Sequence, residues 1–307
     1  MSSSNLTLTQ RSVRYLQKNY KYIVSDPYFF WMKTMARFEF ARDWRTGDED
    51  EAETDLDVVR PSALTSGATP ADIVGTLRRE GYFVGMQLRP EILSALLENV
   101  RTTPCYADRD RNLPFLVGER AALESRLGRH VRVASYFGQQ EQWPAFQALK
   151  TDPAIAAIAR AYLGCDPVFL RTEIFWSFAG QANRSARLAN AQVFHCDIND
   201  FRTLKFFFYL SDVGPEGGPH AYIKKNARKR TLLHQLMGQR CASIPEELLI
   251  KTYGEEQVVT VCGPAGLGFV GDPYYFHRGS APIDGTHRLL MQIEVGCRRY
   301  RTWYFDA

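Results

Sequence analysis

Residues Pro167–Phe178, PVFLRTEIFWSF, mark the point at which the chain changes its hydrophobic period. Upstream, apolar residues recur at helical spacing: Ile73 and Leu77, then Leu93, Leu96, Leu97 and Val100, then Ile155, Ile158 and Leu163. From Pro167 onward they alternate or run in short blocks, at 167–178, 191–197, 203–213, 257–262, 266–271 and 287–295. A period of 3.6 gives a helix one apolar face, and a period of 2 does the same for a strand. Thr69-Pro70-Ala71-Asp72 is a helix start, with a capping Thr, Pro at N1 and an acid in the first turn. Further helices are expected at 90–102 and from Asp152-Pro153 to Gly164, and a helical insert at 231–253 interrupts the strands. Helices first, then six or more antiparallel-looking strands with Gly/Pro turns, predict a mainly β fold with flanking helices, a sandwich or barrel.

Composition narrows the class of function. With 307 residues, 45% hydrophobic and 23% charged, the chain can bury a large core, which excludes a disordered or collagen-like protein. No run of 18 apolar residues is present, so no membrane span is expected. Met1–Gln10 lacks the basic and apolar regions of a signal peptide, which reads as a cytoplasmic location. A net charge of +4 is too small to imply a nucleic-acid partner. The six cysteines (Cys105, Cys165, Cys196, Cys241, Cys262, Cys297) form no C-x-x-C pair and read as reduced small hydrophobes. Residues 1–68 read as an aromatic and basic extension with an acidic linker, and 69–307 as the main domain. Within the extension Trp31, Met35 and Phe38 share one helix face, a surface for packing on the main body or a second subunit; a homodimer is compatible with the sequence.

The segment Phe194-His195-Cys196-Asp197 carries the sharpest chemistry. On a strand His195 and Asp197 project to one face and Cys196 to the other, so the imidazole and carboxylate can take adjacent positions on one metal. A third ligand must come from elsewhere. His277, at the mouth of the Gly/Pro-bounded aromatic stretch 272–276, is the candidate; His220 reads as a turn residue after Gly217-Gly218-Pro219. Two histidines and a carboxylate leave metal positions open, as in non-haem Fe(II) oxygenases. Eleven residues on, Arg288 shares a strand face with Leu290 and Gln292. An inward arginine needs an anion, and a dicarboxylate co-substrate would supply one.

The order Gln192-Val193-Phe194-His195-Cys196-Asp197, Leu204–Val213, Gly217-Gly218-Pro219-His220 and His277-Arg278-Gly279 followed by Arg288 resembles the phytanoyl-CoA dioxygenase family of Fe(II)/2-oxoglutarate-dependent oxygenases. Leu77–Val84 is similar to that family's opening helix and strand, and the likeness spans about residues 70–300. The resemblance implies a double-stranded β-helix, a cupin-like jelly roll, with Fe(II), 2-oxoglutarate and O2 at its open end. It implies iron ligation by His195, Asp197 and His277, a clamp on the far carboxylate by Arg288, and a co-substrate pocket lined by Lys205, Phe207, Tyr209 and Gln192. The expected reaction is hydroxylation of an unactivated C–H bond in a small molecule, with 2-oxoglutarate converted to succinate and CO2. A non-catalytic ligand-binding or regulatory jelly roll is the alternative. Residues 223–230, IKKNARKR, depart from the family's usual turn and read as a solvated basic face, and the first 60 residues have no counterpart. Substrate contacts are therefore expected from the rim: Asn199, the aromatic segment around Tyr28–Phe40, the insert Thr231–Tyr253 and above all the loop 180–190, whose Arg184 and Arg187 should order over an anionic group.

Overall fold

A computed structural model describes residues 20, 23–46, 62–180, 187–188, 190–225, 230–283 and 285–300. Its helices are α1 (Pro27–Met35), α2 (Glu39–Thr46), α3 (Pro70–Glu80), α4 (Pro90–Thr102), α5 (Arg120–Leu127), α6 (Pro144–Lys150), α7 (Pro153–Leu163), α8 (Leu232–Met237) and α9 (Glu246–Tyr253). The strands are β1 (Leu64–Ser66), β2 (Tyr82–Leu88), β3 (Cys105–Ala107), β4 (Pro114–Phe115), β5 (Val133–Ser135) and β6 (Val168–Phe178). They continue as β7 (Thr203–Tyr209), β8 (His220–Ile223), β9 (Val258–Val261), β10 (Leu267–Gly271), β11 (His277–Gly279) and β12 (His287–Gly296). The capping signals act as read. Thr69 and Asp72 exchange side-chain and backbone hydrogen bonds at the start of α3, and Gly81, at φ +85°, closes its other end in the left-handed conformation that glycine tolerates best.

A large sheet runs β1-β2-β10-β7-β12-β6-β5-β3-β4 and a small one β11-β8-β9. From β6 onward the chain passes back and forth between them, with His195 joining the small sheet through a bridge to His277. That winding is a double-stranded β-helix. Register then sorts the side chains, because residues opposite one another across a ladder share a face. Arg288 faces Ser177; Leu290 faces Phe175 and Tyr209; Gln292 faces Glu173 and Phe207; Glu294 faces Arg171 and Lys205. These point toward the small sheet. On the other face Leu289, Met291 and Ile293 join Leu204, Phe206 and Phe208 under Leu77, Leu96, Phe146 and Ile158 of the helices. Each such side chain is worth about 1.5–3 kcal/mol of burial, so the helices anchor the sheet that carries the site.

Three sequence expectations are corrected. Residues 191–197 do not form a strand: His195 makes one bridge to His277, and Asp197 N–H donates to Pro273 O at 2.7 Å. Pro273 has no N–H to return, so the ladder stops there. In α1 the buried residues are Phe29 and Met32, joined by the C-cap Ala36 and packed on Ile198, Phe201, Tyr274 and Tyr300, while Met35 is only partly buried against them and Trp31, its ring 5.5 Å from that of Phe201, is 40% exposed. The helix ends at Met35, before Phe38 can continue the expected face, and the small Ala36 at its cap lets the chain approach the body closely. Finally, Cys165 and Cys297 are not reduced but form a disulfide, their Cα atoms 5.9 Å apart where the end of α7 meets the end of β12. Cys105, Cys196, Cys241 and Cys262 are free. The strand β1 pairs with β2, so the large sheet begins before residue 69. Among the described residues no helix is long and apolar enough to cross a membrane.

Candidate metal centre

Between the inward face of β6, β12 and β7 and the bridge at His195 and His277 lies a cavity of about 410 Å³. His195, Asp197 and His277 all line it, with ligand atoms within 4.8 Å of one another. The Nε2 atoms of His277 and His195 stand 3.7 and 4.0 Å from Asp197 Oδ2. In each imidazole Nδ1 faces the carbonyl oxygen two residues earlier, Val193 O at 2.8 Å and Tyr275 O at 3.0 Å. A carbonyl only accepts, so Nδ1 carries the proton and donates, and Nε2 presents its lone pair to the cavity. Burial, and then the neighbouring His195, push the His277 pKa down to about 3, which keeps that ring neutral. Two imidazoles with Nε2 turned inward and one carboxylate, converging from one side, fit a divalent cation that retains open positions.

Lys205 sits beside this group. Its ammonium donates to Asp197 Oδ2 and lies 3.7 Å from Glu294 Oε2, while Asn199 Nδ2 donates to Glu294 Oε1 at 2.7 Å. Burial alone would raise the Asp197 pKa, but Lys205, His195 and His277 together hold it well below the usual carboxylate range. Burial pushes Glu294 up. Lys205→Met would leave both acids in one buried site. It is expected to cost about 3–5 kcal/mol of stability in metal-free protein, as when one partner of a buried ion pair is lost. Urea titration with EDTA and then with Mn(II) measures this, and Mn(II) should restore part of the loss by replacing the missing positive charge. Equal stability of variant and parent in EDTA would show that the pairing carries no weight.

Arg288 is 2% exposed and lines the same cavity. Nη1 donates to Gly218 O and Nη2 to Ser177 Oγ at 3.4 Å, while Nε has no partner among the described residues. No carboxylate pairs with it there, and burial pushes its pKa down. Gly279 makes the room: a Cβ at that position would stand 2.7 Å from Arg288 Nη2. A buried guanidinium held only by neutral groups is a receptor for an anion.

The structure gathers some of the expected residues and not others. His195, Asp197, His277, Lys205, Phe207 and Arg288 line the cavity. Tyr209 lies outside the lining, its hydroxyl donating to Val261 O and accepting from His220 N–H, each at 2.8 Å. Gln192 is buried outside the lining, with Oε1 unpartnered among the described residues. Asn199 is turned to Glu294, and Arg187 donates to Gln192 O at 3.3 Å. Arg184, most of the loop 180–190, positions 226–229 of the basic run and the acidic linker lie outside the described residues. Reading His220 as a turn residue missed a wall of the site. It begins β8, is buried, has neither ring nitrogen bonded among the described residues, stacks with its ring 5.7 Å from that of His277 and lies tilted 4.6 Å from that of Phe207. Alternation with Tyr222 was the signal for it. Glu173 was missed as well; it accepts from Arg109 at 3.0 Å, Arg171 at 3.1 Å and Gln292 at 3.2 Å, and forms a charge-neutralised part of the lining.

No family model matches the chain, and no curated protein does. Solved structures similar to it include EctD from S. alaskensis with bound Fe, 17% identical at a TM-score of 0.49, covering 77% of this chain and 82% of that one. HygX from Streptomyces hygroscopicus with nickel and 2-oxoglutarate bound is 14% identical at 0.49, covering 75% and 87%. The epimerase SnoN in complex with Fe3+, alpha ketoglutarate and nogalamycin RO is 16% identical at 0.48, covering 74% and 83%.

Proposed function

We propose that this chain is a non-haem Fe(II)/2-oxoglutarate-dependent oxygenase, of the phytanoyl-CoA dioxygenase-like kind, that hydroxylates an unactivated C–H bond of a small organic substrate. One observation carries this reading: a single cavity holds the converging His195, Asp197 and His277 and, in the same lining, the buried Arg288 with no carboxylate partner among the described residues. The first group suits Fe(II); the second suits the far carboxylate of 2-oxoglutarate. When bound, metal and co-substrate supply O2 activation, with 2-oxoglutarate leaving as succinate and CO2. The protein's part is geometric. The carbonyls of Val193 and Tyr275 hold both imidazoles in the ligating tautomer, Lys205 keeps Asp197 ionised, and Phe207 and Leu290 give the cavity an apolar side between its two polar ends. Zinc-dependent hydrolysis on the same ligands would leave Arg288 without a task.

The test is anaerobic. Fe(II) and 2-oxoglutarate together should give the visible charge-transfer band of a chelated keto acid, and neither alone should. Without the band this reading falls. Admission of O2 should then yield succinate; a band with no succinate under any substrate would favour the ligand-binding alternative.

A further inference from the structure

His220 is a polar side chain of the metal cavity to which neither metal ligation nor the Arg288 clamp gives a task. It is 4% exposed and lines the cavity, yet neither ring nitrogen has a hydrogen-bond partner among the described residues. Buried polar groups are nearly always met, so an unmet one calls for an explanation. The backbone there is fixed. His220 N–H donates to Tyr209 Oη at 2.8 Å, and β8 pairs on both sides, placing Gly279 and Val261 opposite His220. The ring is packed among aromatics, with centroids 4.6 Å from Phe207, 4.8 Å from Tyr222 and 5.3 Å from Phe269. A leucine would fill that space at no polar cost. The imidazole therefore asks for an acceptor that these neighbours do not supply.

Its position says which. On one side the His220 ring lies 5.7 Å from that of His277, the planes 17° apart. On the other is Arg288. The cross-strand partner of His220 is Gly279, where a Cβ would stand 2.7 Å from Arg288 Nη2, and Arg288 Nη1 donates to Gly218 O, two residues before His220. An anion held by Arg288 thus comes beside this ring. In either protonation state an imidazole carries at least one N–H, and its Cβ–Cγ torsion is soft, so the ring can turn a donor toward the cavity while its backbone stays paired. We propose that His220 is a co-substrate-binding residue, its ring N–H donating to the far carboxylate of 2-oxoglutarate beside the guanidinium of Arg288. This assignment rests on the oxygenase reading above. Arg288 supplies the charge and the planar fork, and His220 fills a carboxylate lone pair that the fork leaves open.

Titration of the anaerobic charge-transfer band at saturating Fe(II) tests this without turnover. His220→Leu removes the donor at similar bulk and should raise the 2-oxoglutarate midpoint about tenfold or more, the weight of one hydrogen bond to a charged group. His220→Gln, which keeps an N–H donor, should recover most of that loss. The second probe is 2-oxopentanoate, the same keto acid without its far carboxylate. It should bind weakly, and equally to the parent and to His220→Leu. Urea unfolding of the full-length chain in EDTA separates binding from packing: His220→Leu should be at least as stable as the parent, because it removes two unmet polar atoms. An unchanged 2-oxoglutarate midpoint in His220→Leu overturns the proposal, while the band itself leaves the oxygenase reading standing. A loss that strikes both keto acids alike overturns it too, since the ring would then act through the metal centre. Absence of the band from the parent would remove the oxygenase reading, and this assignment with it.

Discussion

Asp197→Ala is expected to abolish 2-oxoglutarate turnover, and His195→Ala and His277→Ala to do the same. Loss of an outer partner of a metal ligand already costs about 10–100-fold. Loss of a ligand itself should exceed that, at roughly a thousandfold or more in activity. Asp197 has the larger effect of the three because it does two things. It would supply the one anionic ligand atom, and it pairs with Lys205, whose remaining acid, Glu294, lies 3.7 Å away. Without the carboxylate a buried ammonium faces the position that a cation must occupy, so the site turns repulsive toward metal. The histidine variants leave Asp197 and Lys205 paired and should fold as the parent does. Anaerobic Fe(II) titration, read by the charge-transfer band, checks all three. A His277→Ala chain that bound Fe(II) as tightly as the parent would remove that residue from the centre.

The convergence of the candidate ligands was legible in the sequence for a local reason, and the rest was hidden for a non-local one. His195 and Asp197 are two residues apart, and extended backbone turns alternate side chains the same way whether or not a ladder forms. The pair therefore converges although 191–197 is not a strand. Arg288 was legible because β12 is a full strand whose inward face alternates with Leu289, Met291 and Ile293 under the helices. Nothing in the sequence placed Cys165 against Cys297, 132 residues on, because that pairing depends on where α7 and β12 end in space. The N-terminal helix failed in a different way. Its apolar residues offer more than one face as patterns, and contact with Ile198, Phe201 and Tyr274 selects Phe29, Met32 and the cap residue Ala36. Lys205 had the correct face and an unforeseen partner: the cross-strand neighbour Glu294 and the ligand Asp197 take up its charge.

Arg288→Ala should raise the 2-oxoglutarate requirement far more than the Fe(II) requirement. The side chain is buried, and its bonds to Gly218 O and Ser177 Oγ are to neutral acceptors, so its charge is uncompensated within the described protein. Truncating one partner of a buried, hydrogen-bonded charge pair costs about 2–5 kcal/mol, or roughly thirtyfold to several thousandfold in affinity for the co-substrate. Metal ligation uses none of its atoms, so Fe(II) affinity should stay near the parent value. Arg288→Lys is a sharper probe. It keeps the charge but loses the planar fork that meets a carboxylate with two parallel bonds, and should recover only part of the loss. Gly279→Ala approaches the same point from the small sheet, since its new Cβ would meet Arg288 Nη2 at 2.7 Å and displace the guanidinium without removing it. All three variants should therefore lose 2-oxoglutarate affinity, with Arg288→Ala losing most. Titration of 2-oxoglutarate against the anaerobic charge-transfer band at saturating Fe(II) measures this directly. An unchanged midpoint in Arg288→Ala would show that the co-substrate's far carboxylate is held elsewhere, and Lys205, the other buried cation of the cavity, would be the residue to examine next.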